Sequence, residues 1–223
     1  MFFRKDYQEP GPGIDPNAPE KTGAARFFEI VQLECGSIIK VNLLFLISCL
    51  PVVTVPLAVR AMYQVICRMV RDQPVDCFYH YRTAFRQHVG QAYAAFLLSV
   101  APLAISGYGA LFYLRYAGDN YWLFLPFMLC STVFLTVLLA STYLYGVLSS
   151  GISLGEAVRL ALALGIGRPR RAVLAALFGY GPLLAAVLFF PFSALYLLLV
   201  GFSLPCLLSV FFIRTVMKRY CGW

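Results

Sequence analysis

The chain has 223 residues, of which 61% are hydrophobic and only 13% charged. An ordinary soluble domain carries about 25% charged residues and seldom holds long uncharged stretches, so the composition excludes a water-soluble globular fold and points to an integral membrane protein. The formal net charge is +8, but the 18 Lys and Arg sit at the ends of apolar runs and form no single stripe, which favours lipid headgroups and excludes nucleic acid as the partner.

The apolar runs recur at about 20 residues, the length that crosses a hydrocarbon core of about 30 Å as a helix. They predict an all-α, polytopic helical membrane protein of about six transmembrane helices with two cytoplasmic amphipathic helices, forming a single helical membrane domain over residues 24–220. Residues 1–23 contain "YQEPGPGIDPNAPEK", a polar tail rich in Pro and Gly that offers no apolar core for a cleavable signal. Residues 221–223 form the C-terminal end.

The first predicted helix covers residues 24–50. Its opening turns mix Arg26, Glu29 and Glu34 with Phe27, Phe28 and Ile30, as in a helix entering through the interface, and its second half is apolar. Pro51 stops it, and "CLPVVTVP" places a second proline soon after, which reads as a hairpin bend. A shorter and more polar helix follows over 55–71, either a span or a re-entrant or interfacial segment. After Pro74, "DCFYHYRTAFRQH" mixes aromatic and basic residues in the manner of a surface helix.

Further spans are predicted over 92–116, 121–148, 172–190 and 192–217, with the last two reversing at Pro191. Between the fourth and fifth, Ser153 with Glu156 forms a capping box that opens a second surface helix ending near Gly165 and Gly167. Basic residues fall at one side of this arrangement, while the opposite side keeps only Arg115, so both termini are expected in the cytoplasm. A loose internal echo joins the two halves, each with a proline inside a span, Pro102 in "SVAPLA" and Pro182 in "GYGPLLA".

Polar residues within the spans are the candidates for function. In an antiparallel hairpin about Pro51, Lys40 faces the level of Met62 and Asn42 that of Arg60, so Lys40, Asn42, Arg60 and Gln64 are candidate ligand-binding residues of an intramembrane pocket for an anionic or sugar-like solute. The same residues fit a structural role, with Lys40 and Arg60 snorkelling and Asn42 bonding neighbouring backbone. Glu34 and Arg68 fit a structural ion pair. Phe78, Tyr81, Arg82, Phe85 and Arg86 on the first surface helix, with Arg159, Arg168, Arg170 and Arg171 around the second, form the candidate partner or membrane surface.

No catalytic constellation emerges, and no metal or cofactor is expected. His80 and His88 lack the HExxH pattern, GxSxG and P-loop motifs are absent, and the seven cysteines contain no CxxC.

The tail, the hairpin "KVNLLFLISCLPVVTVPLA", the following "MVRD" and "CFYHYRTAFRQHVGQA" together resemble the YesL family, bacterial membrane proteins carrying a domain of unknown function. The resemblance is most specific at Asn42, Leu50, Pro51 and Thr54. It implies the bacterial cytoplasmic membrane as location and, because such genes often neighbour those for sugar ABC transporters, a non-enzymatic accessory or scaffold role in carbohydrate uptake. The implied partners are the lipid bilayer, the permease of a sugar ABC transporter, or a second copy of the chain. A small-solute transporter or channel with a polar pocket is the alternative.

Overall fold

The computed structural model describes residues 23–116 and 121–221; residues 1–22, which make up nearly all of the predicted polar tail, and residues 117–120 and 222–223 lie outside them. Among the described residues no strand occurs, and helices follow one another through the chain. They are α1 (Ala24–Leu33), α2 (Cys35–Cys49), α3 (Val55–Val70), α4 (Cys77–Arg86), α5 (Val89–Tyr116), α6 (Phe124–Leu148), α7 (Leu154–Gly167), α8 (Pro169–Leu188), α9 (Ala194–Leu199) and α10 (Ser203–Cys221). Four segments are long and apolar enough to cross a membrane: Val52–Val70, Val89–Tyr116, Tyr121–Leu148 and Pro169–Leu188. A fifth is added if α1 and α2 together make one bent span.

Two predicted helices are broken. The first turns by 72° between α1 and α2, at Glu34, whose φ of −106° and ψ of 16° leave the helical region. Cys35, Gly36 and Ser37 follow, residues with little preference for helix interiors. Arg26 holds α1 in its new direction, bonding Glu29 at 2.7 Å and Asp72, just beyond α3, at 2.5 Å. The helix predicted over 192–217 is likewise interrupted, between Leu199 and Ser203, and its two parts are α9 and α10.

The hairpin about Pro51 also differs from its predicted geometry. The Tyr93 hydroxyl, near the start of α5, donates to the Val53 carbonyl at 2.7 Å, while Arg71 at the far end of α3 donates to the Ser149 hydroxyl at 3.2 Å. Ser149 follows α6, and the start of α5 lies at that same end of the α5–α6 pair, since Gln91 Nε2 donates to the Ile152 carbonyl at 3.4 Å. Both ends of α3 are therefore tethered to one end of the pair. At 1.5 Å per residue α3 is about 24 Å long and α5 about 42 Å, so α3 crosses this end of the pair and does not run its length.

Two buried clusters fill that end of the molecule. One joins α2, α3, α4 and α10 through residues such as Val41, Ile66, Tyr81 and Leu207; the other joins α6, α7, α8 and α10 around Tyr143, Ala161, Ala172 and Ile213. The expected surface helices α4 and α7 are thus half core. Cys77, Tyr81 and Ala84 bury one face of α4, and α7 approaches α6 so closely that a Cβ on Gly165 would lie 3.1 Å from the Ala140 nitrogen. Farther along α5 and α6, large apolar side chains including Leu111, Phe112, Leu125 and Met128 are exposed, as suits contact with hydrocarbon.

Candidate functional site

Asn42 is fully buried on α2, and its carboxamide fills the break between α9 and α10. Nδ2 donates to the carbonyls of Leu197 at 3.0 Å and Leu198 at 2.8 Å, while Oδ1 accepts the amides of Phe202 at 3.0 Å and Ser203 at 3.1 Å. A broken helix exposes carbonyls at one end and amides at the other, and in an apolar core each needs a partner. An Asn side chain has two donor hydrogens and an oxygen with two lone pairs, and here all are in use. Gly201 completes the break: a Cβ there would fall 2.4 Å from the Leu197 Cα, so the chain turns only where no side chain exists.

Arg60 is buried on α3 and closes a second backbone feature, the link between α4 and α5. Its guanidinium donates to the His88 carbonyl at 2.8 Å, the Gln87 carbonyl at 3.4 Å and the Gln91 side-chain oxygen at 3.1 Å. His88 has a φ of 51°, in the left-handed region that ordinary residues seldom occupy, so Arg60 secures a strained turn.

The predicted pocket is consequently not assembled. Asn42 turns toward α9 and α10, Arg60 toward the α4–α5 link, Lys40 is exposed, Gln64 is half-buried, and no hydrogen bond joins any two of them among the described residues. The matched-depth argument fails because α3 lies across the bundle. Glu34 and Arg68 do not pair either; the salt bridges among the described residues run from Arg26 to Glu29 and Asp72, because the bend at Glu34 takes α1 out of the hairpin's register.

The expected partner surface is divided. Phe78, Arg82 and Arg86 are exposed on α4, Phe85 is half-buried, and Tyr81 is core, with only 4% of its surface exposed. Burial pushes the Tyr81 phenol up to about 12. Arg159, Arg168 and Arg170 are exposed around α7 and the start of α8, with Arg171 half-buried. His80 turns back on its own helix, with Nδ1 2.9 Å from the Asp76 carbonyl oxygen. The capping box takes an unexpected form, in which the Ser153 hydroxyl donates to the Glu156 carboxylate at 2.9 Å and caps no amide. No cluster of three or more His, Cys, Asp or Glu able to hold a metal ion occurs among the described residues.

Sequence reasoning missed a cavity of about 240 Å³ where α2, α3, α5, α6, α8 and α10 converge. No charged side chain lines it. Its wall is apolar apart from one thiol and the hydroxyls of Ser99, Ser141, Ser209, Tyr63, Tyr145 and Tyr180. The hydroxyls of Ser141 and Tyr180 lie 2.9 Å apart, and the rings of Tyr63 and Tyr145 stack with centroids 5.0 Å apart. The void is larger than the cavity of about 150 Å³ that stays dry and admits benzene, so it has room for a small apolar group. The signal available in the sequence was the pair of proline motifs, which both reach its wall.

This arrangement defines a membrane protein that is helical throughout the described residues, in which Asn42 and Arg60 close on backbone groups and a separate cavity has no charged lining. Residues 38–109 match the family model described as "Protein of unknown function, DUF624", a stretch that runs from α2 into α5 and includes Asn42, Arg60 and all of α4. No curated protein and no solved structure matches the chain.

Proposed function

We propose that the protein is a YesL-like, non-enzymatic accessory or scaffold subunit of the bacterial cytoplasmic membrane that acts in carbohydrate uptake. The observation that carries the scaffold reading is the closure of Asn42 and Arg60 on backbone groups, which removes the polar lining a sugar or ion carrier needs, while α4 keeps Phe78, Tyr79, Arg82 and Arg86 exposed beside a packed face. The sugar-uptake part of the reading is supported by the resemblance of the hairpin and α4 to the YesL family alone; the family model that residues 38–109 match is described only as one of unknown function and does not bear on it.

In this reading α5, α6, α8 and the α9–α10 pair cross the bilayer, and α2–α3 enters and returns on one side. Arg26 reaches Asp72 at the end of α3, Arg71 reaches Ser149 at the end of α6, Arg168, Arg170 and Arg171 open α8, and Lys218 and Arg219 close α10; this excess of basic residues supports a cytoplasmic placement of both termini. The test is gentle purification of the tagged protein from its native host, followed by mass spectrometry. A sugar permease recovered in stoichiometric amount, and lost in Arg82→Ala/Arg86→Ala protein that still folds, is the expected result. Recovery of the chain alone, under conditions that retain a known membrane complex, would overturn it in favour of independent transport.

A further inference from the structure

The two proline motifs that echo one another in the sequence meet at the cavity. In "SVAPL" the wall residues are Ser99, Val100 and Leu103 around Pro102; in "GYGPL" they are Gly179, Tyr180 and Leu183 around Pro182. The same three positions relative to each proline line the void. A proline inside a helix removes one bond of the ladder and leaves a carbonyl of the preceding turn without its partner. Here two such helices stand on either side of the space.

The position of the opening follows from what α5 and α8 pack against. Both pack on α6, α8 also packs on α10, and α5 and α8 make no substantial contact with each other among the described residues. Val100 and Tyr180, at matching places in the two motifs, are wall residues that are also exposed, at 43% and 38% of their surface. Both belong to segments apolar enough to lie in a membrane, so what they face is hydrocarbon. A gap between α5 and α8 would therefore open toward the bilayer.

Wall chemistry then sets the ligand class. With no charged lining residue, an ionic group inside would be left without a partner at high cost, whereas methylene groups would bury favourably. The paired hydroxyls of Ser141 and Tyr180 offer one place for a neutral carbonyl or hydroxyl. We propose that the gap between α5 and α8 is a lateral portal and that the cavity behind it takes one uncharged hydrocarbon chain, carried by a bilayer lipid whose headgroup stays outside.

The experiment uses the full chain in lipid nanodiscs with a diazirine near the end of a hydrocarbon chain, borne either on phosphatidylglycerol or on a long-chain alcohol. After irradiation, labelled peptides are mapped by mass spectrometry. Label is expected on the wall segments of α5 and α8 in excess of lipid-facing residues such as Leu111 and Met128. It should fall about tenfold in Val100→Trp, which blocks the entrance, as it would on losing the burial of about two methylenes. Val59→Phe, which fills the cavity from α3, should act the same way and covers the case in which Val100→Trp does not fold. Leu111→Trp, away from the entrance, should leave labelling unchanged. Enrichment with the phospholipid probe identifies a bilayer lipid as the source, and enrichment with the alcohol alone identifies a free neutral amphiphile with the same chain. Label spread evenly over exposed apolar faces and indifferent to both wall variants would overturn the proposal.

Discussion

The Asn42 side-chain oxygen accepts the Phe202 amide at 3.0 Å, and through this contact a residue of α2 becomes the missing turn between α9 and α10. The same carboxamide holds the carbonyls on the other side of the break, so the interruption carries no loss of backbone pairing at those four groups. Breaking it at either partner should therefore be expensive.

Asn42→Ala is expected to destabilise the protein by about 2–4 kcal/mol, because four backbone groups at the buried break lose the hydrogen bonds that Asn42 supplies. Thermal unfolding in detergent measures it. A loss below about 0.5 kcal/mol would mean that the break re-forms as a continuous helix without the side chain.

Gly201→Ala should cost about 2–3 kcal/mol or prevent folding, since the new Cβ would sit 2.4 Å from the Leu197 Cα and 3.1 Å from its nitrogen. Gly155→Ala is the comparison. That glycine lies in α7, is followed by Glu156 and has nothing within 4 Å of where a Cβ would stand, so alanine should be neutral or stabilising by up to about 1 kcal/mol through helix preference. Equal effects at the two glycines would contradict the packing argument.

Arg60→Ala should act on stability and leave solute flux unaffected. Losing the guanidinium frees the Gln87 and His88 carbonyls and releases a turn with positive φ, at an expected cost of about 2–3 kcal/mol, and limited proteolysis should then cut near residues 87–89. A folded Arg60→Ala protein that loses a measured solute flux would instead restore the polar-pocket reading.

On α4 the exposed and buried faces should separate cleanly. Phe78→Ala and Arg82→Ala are expected to shift stability by less than about 0.5 kcal/mol while weakening partner recovery, whereas Tyr81→Ala should cost about 3–5 kcal/mol as a core truncation. If Tyr81→Ala is tolerated, α4 does not pack as described.

Tyr81 also gives a pH signature. Its folded phenol titrates at about 12 against an ordinary 10.0, because burial disfavours the charged form. Between those values the unfolded chain has released a proton that the folded chain retains, so this contribution to stability falls as pH rises through the window. Tyr81→Phe removes it, and denaturation curves of the two proteins should converge or cross as pH is raised from about 10 to about 12. Parallel curves would refute the assignment.

Some helix ends were legible in the sequence because their signal is local. The bounds of α3, α5 and α6 lie within a few residues of those expected, since apolar period, proline and charge act over one or two turns. Asn42 and Arg60 were recognisable as unusual because polar groups at such positions need partners. Which partners they find was not legible, because those are backbone groups of Leu197, Phe202 and His88, and backbone polarity is the same for every residue. The tilt of α3 escaped for a related reason: hydropathy records that a segment is apolar, and carries nothing about the direction in which it lies.

Composition and the length of the apolar runs by themselves determined an all-helical membrane protein, for transfer of side chains into hydrocarbon depends on residue type alone. Only the tertiary structure decided that Asn42 bridges a broken helix, that the ends of α3 share one end of the α5–α6 pair, and that Pro102 and Pro182 frame one cavity. Each of these depends on where distant segments meet, and hydrogen bonds of a few ångströms form only after packing has brought them together.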